Sequence, residues 1–94
     1  MEFEWDPRKD AVNQSKHGVG FDEALTVFAD PLARIFADPD HSAEEAREIV
    51  IGHSARQRLL LVSFTERDDR VRIINARLTT QSERTDYEED TAKR

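Results

Sequence analysis

Arginine is the residue type in this sequence with the clearest capacity for chemistry. Residues 53–77 contain six arginines, three acidic residues and no lysine, a local balance of +3. A guanidinium group presents a planar fork of N–H donors that matches phosphate or carboxylate oxygens two at a time. The stretch is therefore either a phosphate-binding surface or a set of solvated side chains that pair with acidic residues elsewhere. The six are Arg56, Arg58, Arg67, Arg70, Arg72 and Arg77.

Arg77 lies near the end of a predicted strand over residues 71–78. Because side chains alternate along a strand, Arg77 continues the face of Val71, Ile73 and Asn75. An arginine that ends an apolar face either covers the core with its aliphatic stem or clamps a phosphate.

Arg67 and Arg77 are predicted to lie far apart. A hairpin turn at Asp68-Asp69 puts Arg67 at the tip and Arg77 opposite Leu59 or Leu60. The two arginines are then roughly 20–25 Å apart along a straight ribbon. They should not contact the same phosphate. Better neighbours for Arg77 are Arg58, Glu83 and Arg84.

Three histidines are the other candidates for chemistry, and each is isolated in the sequence. His17 falls in the last turn of a predicted helix, where a cation suits the helix dipole. It is also placed to titrate near neutrality, as general acid–base catalysis requires. His41 is a turn residue or a site residue. A zinc site built from these histidines and His53 would need ligands from three separate segments.

Several kinds of site are excluded by the residues that are missing. The sequence contains no cysteine, which excludes disulfides and thiolate metal sites. It has no G-x-S-x-G nucleophile elbow, no P-loop and no dinucleotide-binding fingerprint. Chemistry with ATP or NAD is therefore not expected.

Two helices are predicted in the first third of the chain, after a short strand over residues 3–5. Asp6 and Pro7 are typical of an N-cap and a first helical position, and Gly18 suits the C′ position of a helix over residues 7–17. A second helix begins at Gly20 and ends at Asp30-Pro31. Its buried face is formed by Phe21, Ala24, Leu25 and Phe28.

Four strands and a C-terminal helix are predicted in the rest of the chain. The strands cover residues 33–37, 47–51, 58–66 and 71–78, with a turn at 38–40 and a loop or single helical turn at 41–46. An unbroken apolar run at 59–62 indicates a central strand covered on both faces. Thr80-Gln81-Ser82-Glu83 forms a capping box that opens a helix reaching about residue 90. Helices, an antiparallel sheet of about four strands and a final helix make an α+β fold.

Length and charge limit the function classes. Ninety-four residues with 37% hydrophobic residues suit one small domain, residues 1–94, with a thin core and a frayed end. The formal net charge of −6 argues against a chain that coats nucleic acid, although most of it comes from residues 21–52, which hold eight acidic and two basic residues. The apolar runs are too short for a membrane span, and the first residues lack the features of a signal peptide. A cytoplasmic protein is expected.

Eight blocks of residues resemble the BrnT family of bacterial toxins over residues 3 to about 89. Two of them, Lys16-His17-Gly18 and the block that ends at Arg77, are specific in combination. The blocks are Phe3-x-Trp5-Asp6-Pro7-x-Lys9, Asn13-x-x-Lys16-His17-Gly18-Val19-x-Phe21-x-Glu23-Ala24, Phe28-x-Asp30-Pro31, Asp40-His41, Arg47-x-x-x-x-Gly52, Thr65-Glu66-Arg67, Arg72-Ile73-Ile74-Asn75-Ala76-Arg77 and Glu83-Arg84-x-x-Tyr87.

The resemblance implies a RelE-like fold and a ribonuclease toxin of a type II toxin–antitoxin system. It implies RNA cleavage that blocks translation and needs neither a metal nor another cofactor. The implied partner is BrnA, a ribbon-helix-helix antitoxin that binds the operon DNA, in a complex of two toxins with two antitoxins. The implied catalytic residues are Lys16, His17, Arg67, Arg77 and Tyr87. Arg77 is the expected phosphate clamp, with His17 or Lys16 in the acid–base role.

Glu83 has two possible roles, since it either orients Arg77 or simply closes the capping box, and the cap is the favoured interpretation. Two positions depart from the pattern of the family. Asn75 replaces a common serine and keeps a hydrogen-bonding group, while Gly20 replaces a serine N-cap. The acidic composition, with a pI near 5.0, is unusual for a ribonuclease. A non-catalytic binding module that keeps the toxin fold is therefore the alternative function.

Overall fold

The computed structural model describes residues 1–38 and 46–92. The predicted turn at 38–40 and the predicted loop at 41–46 lie mainly outside the described residues, and His41 lies wholly outside them. The elements are β1 (Glu2–Glu4), α1 (Pro7–His17), α2 (Phe21–Ala24), a 3₁₀ helix (Leu25–Ala29), β2 (Arg34–Ala37), β3 (Arg47–His53), β4 (Leu59–Arg67), β5 (Arg70–Leu78) and α3 (Gln81–Ala92).

Both predicted helices of the first third are present, with the predicted ends. The Asp6 carboxylate accepts a hydrogen bond from the amide of Arg8, and Gly18 ends α1 at a φ of 69°. The second helix begins after Gly20 but continues as a 3₁₀ helix from Leu25. In the described residues, no helix combines the length and the apolar character needed to cross a bilayer.

The sheet has five strands in the order β1-β5-β4-β3-β2, not the four antiparallel strands expected. β2 to β5 form the predicted antiparallel meander, whereas β1 pairs with β5 in parallel, with Phe3 opposite Val71. Nothing near residue 3 in the sequence encodes a partner 68 positions away, which is why the parallel strand could not be predicted.

The β4–β5 hairpin turns at Asp68 and Asp69 as predicted, but its register differs from that of a regular ribbon. Both turn residues have positive φ, 50° and 65°, as expected for a two-residue hairpin turn. Ser63 pairs with Asn75 and Phe64 with Ile73, so the residue at position 74 is the extra one of a β-bulge.

The bulge changes the face to which Arg77 belongs. Arg77 lies opposite Leu61, not Leu59 or Leu60. Residues paired across an antiparallel sheet share a face, so Arg77 lies on the face of Leu61. The prediction that Arg77 continues the face of Ile73 is wrong, because the extra residue reverses the alternation between positions 73 and 77.

Two apolar clusters cover the two faces of the sheet. The larger one packs α2 and the 3₁₀ helix on one face and includes Phe21, Val27 and Leu60. The smaller one lies under α3 on the other face, where Leu59 and Leu61 contact Tyr87. The buried run at the start of β4 therefore belongs to a central strand covered on both faces, as predicted.

Asn13 joins α1 to the edge of β5 beyond the point where β1 ends. Its side chain is buried and makes four hydrogen bonds. Its Nδ2 donates to the carbonyl oxygens of Val19 and Ala76, each at 2.8 Å, and its Oδ1 accepts from the amide of Ala76 at 3.2 Å and from Asn75 Nδ2 at 3.1 Å. The amide side chain thus substitutes for a neighbouring strand.

Glu23 holds α2 against the β3–β4 hairpin through a buried ion pair. Its carboxylate accepts hydrogen bonds from Arg58 Nε at 2.9 Å and Ser54 Oγ at 2.7 Å, and also from Arg58 Nη2. Arg58 is therefore the partner of Glu23 and not the predicted neighbour of Arg77. The hydrogen bonds from Arg58 lower the pKa of Glu23 below its ordinary value, against the opposing effect of burial.

We expect this ion pair to make the protein less stable in acid. The pKa of Glu23 is lower in the folded chain, so its stabilisation is fully present above the unfolded-state pKa of about 4.3 and is lost as the pH falls towards the folded-state value. Urea unfolding between pH 7 and pH 3 measures this effect. Glu23→Gln should be less stable at pH 7 and lose less stability on acidification. Equal losses for both proteins would contradict the assignment.

Candidate functional site

Arg77 is held at the end of β5 by the first turn of α3. Its Nη1 donates to Glu83 Oε1 at 2.8 Å and its Nη2 to Glu83 Oε2 at 3.0 Å. Glu83 also accepts from the amide of Thr80, and the Thr80 hydroxyl accepts from the amide of Glu83. Glu83 therefore closes the predicted capping box and orients Arg77 as well, so the two roles do not exclude each other.

The ion pair keeps both groups charged. The hydrogen bonds to Glu83 raise the pKa of Arg77. The hydrogen bonds from Arg77 lower the pKa of Glu83, against the effect of burial and with help from the amide of Thr80. Arg77 therefore stays positively charged in the folded protein, and its ion pair with Glu83 holds the charge in one position.

Within residues 1–38 and 46–92, no hydrogen bond occupies one edge of the Arg77 guanidinium, which leaves this edge open for a ligand. Glu83 occupies the end between Nη1 and Nη2, and the other Nη1 hydrogen points to the carbonyl oxygen of Leu78 at 3.2 Å. The remaining N–H groups, on Nε and Nη2, lie along one edge of the planar group and point in the same direction. A third of the side chain is exposed. This edge has the geometry for two parallel hydrogen bonds to a phosphate.

Arg77 lines a cleft of about 380 Å³ between the sheet and α3. The cleft contains a second arginine, Arg34, whose Nε lies 3.1 Å from Asp90 Oδ2. Apolar side chains from the sheet form its floor, and α3 forms one wall. The lining residues are Arg34, Phe36, Asp38, Ile49, Ile51, Leu61, Arg77, Glu83, Asp86 and Tyr87.

Tyr87 lies in the same cleft, but its hydroxyl group points to a cluster that the sequence did not predict. The ring is buried, and the hydroxyl donates to Asp30 Oδ2 at 2.9 Å. His53 Nδ1 lies 3.3 Å from the Tyr87 oxygen and 3.7 Å from Asp30 Oδ2, so His53 is not isolated. These three residues belong to three distant segments, and no sequence spacing indicates their contact.

Asp30 is the centre of this cluster. Burial raises the pKa of Asp30, but hydrogen bonds from the amides of His53 and Leu32 and from the Tyr87 hydroxyl outweigh burial, so the pKa is lowered. The charged carboxylate ties α3 to the end of β3. Since Glu83 lies one turn before Tyr87, the same contacts fix the helix turn that holds Arg77.

Lys16 and His17 lie at the same end of the sheet as Arg77. Arg58 Nη2 donates to the carbonyl of Gly18 at 3.0 Å, which places the end of α1 beside the start of β4. The amide of Thr79 donates to the carbonyl of Leu59, so the end of β5 is also there. In the described residues, no hydrogen bond or ion pair joins Lys16 or His17 to Arg77.

Arg67 lies at the opposite end of the sheet, as predicted. It pairs with Arg70 beside the hairpin turn and shares a groove with Arg72, Asp68 and Glu4. Glu4 Oε2 accepts a hydrogen bond from Arg72 at 2.9 Å. Among the five predicted catalytic residues, the structure brings Arg77 and Tyr87 into one cleft and leaves Arg67 roughly 20 Å away along β5.

Residues 1–38 and 46–92 include no group of three or more histidine, aspartate or glutamate side chains that could hold a metal ion. Some acidic side chains at or beside the Arg77 cleft are paired with arginines. Arg77 with Glu83 and Arg34 with Asp90 are two such pairs.

Residues 5–83 match the family model described as "Ribonuclease toxin, BrnT, of type II toxin-antitoxin system". This chain belongs to the BrnT family. The match covers most of the chain, including α1, all the strands from β2 to β5, and Glu83. It shows that the chain is a ribonuclease toxin of a toxin–antitoxin system and confirms the resemblance found in the sequence.

The fold is also that of a solved BrnT structure. The chain is similar to the Brucella abortus ribonuclease toxin BrnT in a 1.1 Å crystal structure, with a TM-score of 0.68 and 24% sequence identity. The similarity covers 86% of this chain and 99% of the Brucella chain. At this identity the comparison concerns the fold alone. A search of curated proteins found no match.

Proposed function

We propose that this BrnT-family chain cleaves RNA at the Arg77 cleft without a metal ion, and that the cleavage blocks translation. The observation that carries the proposal is the open edge of the Arg77 guanidinium. Glu83 fixes the group from its far end, so a phosphate can bind at the Nε–Nη2 edge without displacing the carboxylate. The arginine is preorganised for an anion, which is the property that stabilises charge in a transition state.

The proposed reaction is attack by a ribose 2′-hydroxyl on the adjacent phosphate. A bond forms between the 2′-oxygen and phosphorus, the bond to the 5′-oxygen breaks, and the 5′-oxygen leaves with the electron pair and takes up a proton. Arg77 stabilises the negative charge that grows on the phosphate oxygens. We assign the acid–base function to His17 or Lys16, which lie at the same end of the sheet as Arg77 but outside the lining of the cleft, so the RNA would have to extend from the cleft towards the end of α1.

The other two proposed site residues have different roles. Tyr87 forms part of the cleft and, through Asp30, holds α3 in the position that places Glu83 against Arg77. Arg67 binds the RNA backbone at a distance, because it lies at the far end of β5. The acidic composition is compatible with this function, since the binding edge of Arg77 is a local feature that does not depend on the net charge of the chain.

The proposed setting is a cytoplasmic complex with an antitoxin. We propose that the antitoxin is a ribbon-helix-helix protein of the BrnA type, that two copies of each chain form the complex, and that DNA binding belongs to the antitoxin. We also propose that the fold is RelE-like, as the resemblance to the BrnT family implies. A RelE-like fold fits both a complex with an antitoxin and cleavage without a metal ion.

An RNA cleavage assay in the presence of EDTA tests the proposal. The purified chain should cut RNA equally with and without EDTA, and its expression alone should arrest growth. His17→Ala and Lys16→Ala should identify the acid–base residue, because one of them should lower the cleavage rate by about 10²–10⁴-fold. A folded wild-type chain that neither cuts RNA nor arrests growth would instead be the non-catalytic binding module.

A further inference from the structure

Strand β2 is the outer strand on one side of the described sheet. It pairs with β3 through Arg34 to Ala37 and is the last strand in the sheet order. An edge strand offers backbone N–H and C=O groups to any strand that can lie beside it, and proteins normally protect such edges with charge, proline or a covering element. In the described part of this chain, β2 has none of these protections along its four residues except Arg34.

The edge is apolar on both of its faces. Ile35 is 56% exposed and Phe36 is 42% exposed, and because side chains alternate along a strand they point to opposite faces. Leu32, in the turn before β2, is 41% exposed. The edge therefore exposes three large apolar side chains within five positions, distributed over both faces of the strand, as expected of an edge that a partner strand covers.

The same edge is the rim of the Arg77 cleft. Phe36 and Arg34 line the cleft from β2, and Asp38 lines it just beyond the strand. Ile35 points to the other face and is not part of the cleft. A chain bound along β2 would therefore lie across the opening of the cleft without needing to contact Arg77.

The charge around β2 identifies the kind of partner. Asp38 follows β2 directly and lines the cleft beside Phe36. Asp90 lies against Arg34, and Glu48 lies opposite Ala37. Acidic side chains beside exposed apolar ones favour a basic polypeptide with apolar side chains over a second copy of this acidic chain.

We propose that the β2 edge binds an extended, basic segment of the antitoxin, which adds a sixth strand to the sheet and covers the Arg77 cleft. The bound strand would place apolar side chains over Ile35 on one face and Phe36 on the other, and backbone hydrogen bonds would supply the rest of the contact. The binding site itself rests on the structure and on the family's need for an antitoxin; the blocking of catalysis rests on the proposed function.

Hydrogen exchange tests the backbone part of the proposal. With the antitoxin encoded by the neighbouring gene bound, amides in residues 34–37 should become protected, because the described part of the free chain offers no partner strand to those that face outward. Unchanged exchange in β2 would overturn the proposal. Protection that appears without antitoxin, as the concentration of the chain rises, would also overturn it and assign the edge to a second copy.

Substitution tests the side-chain part. Ile35→Asp should weaken antitoxin binding by about 30-fold or more, as expected for loss of a central apolar anchor. Val12→Asp is the matched control, since Val12 is 63% exposed on α1, and it should bind antitoxin as the wild type does. Equal binding by Ile35→Asp would overturn the proposal.

The cleavage of RNA separates this inference from the proposed function. The free Ile35→Asp variant should cut RNA at the wild-type rate, because Ile35 is outside the cleft, and antitoxin should no longer inhibit it at concentrations that silence the wild type. If the wild type cuts no RNA while Ile35→Asp still loses antitoxin, the proposed function fails and the docking site stands.

Discussion

Replacing Arg77 with alanine is expected to lower RNA cleavage by about 10²–10³-fold, the usual effect of removing one preorganised charge-stabilising group. The cleavage rate at saturating RNA should fall more than the affinity for RNA. In the bound RNA Arg77 is one contact among many, whereas in the transition state it stabilises the negative charge that grows on the phosphate. Growth arrest on expression should disappear with it. Single-turnover cleavage of a defined RNA by the purified variant measures the effect.

Arg77→Lys separates the charge from the geometry. Lysine keeps the positive charge but has no planar fork, so it cannot bind Glu83 at one edge and a phosphate at another. We expect its activity to lie between those of the wild type and Arg77→Ala. Activity equal to the wild type would show that Nε and Nη2 do not bind the phosphate together.

The control for both variants is Arg84→Ala. Arg84 follows Glu83 in the first turn of α3, and its side chain is partly exposed. Its Nη1 lies 3.9 Å from Glu88 Oε2. Its removal changes the net charge by the same amount and should leave cleavage within about twofold of the wild type, because exposed ion pairs contribute little. An equal loss in both variants would indicate general electrostatics in place of a phosphate site at Arg77.

Asn13→Leu is expected to destabilise the fold strongly although Asn13 does not line the Arg77 cleft. Leucine is close to asparagine in size but leaves the amide and carbonyl of Ala76 and the carbonyl of Val19 without their partner. Each unsatisfied buried group costs about 1–3 kcal/mol, so the three groups together should cost at least about 3 kcal/mol. That is a large part of the stability of a small domain.

Thermal unfolding measures this effect. A loss of about 3 kcal/mol corresponds to a fall in Tm of roughly 12–24 °C for a chain of this length. Gln14→Ala, on the next residue of α1, removes an exposed hydrogen bond to Asp10 at 3.2 Å and should lower Tm by a few degrees at most. A small change in Asn13→Leu would show that water replaces the lost contacts at the β5 edge.

Features encoded within a few residues were predictable from the sequence. Asp6 and Gly18 are the ends of α1 because their own backbone and side-chain preferences favour those positions. Thr80 and Glu83 form the predicted capping box, and two aspartates make the hairpin turn. In each case the interacting groups are separated by four residues or fewer, so their spacing fixes their contact.

The arrangement of the site depended on contacts that no spacing describes. The bulge at position 74 moved Arg77 to the face of Leu61, where α3 could reach it, and a regular strand would have placed it on the other face. The contact of Tyr87 with Asp30 and His53 joins three segments. The position of a bulge depends on the packing of the whole core. One extra residue moves every following side chain to the opposite face of the sheet, and the apolar side chains on both faces must still be buried.

The sequence by itself determined the family, the ends of α1 and the antiparallel meander, and it singled out Arg77 as the candidate for binding an anion. These follow from local residue preferences and from the motif blocks around Lys16 and Arg77. Only the tertiary structure decided which face Arg77 occupies, which edge of its guanidinium Glu83 leaves open, and which strand is exposed. The reason is that residue type sets what a side chain can bind, whereas its direction and its free donors depend on the neighbours that folding brings to it.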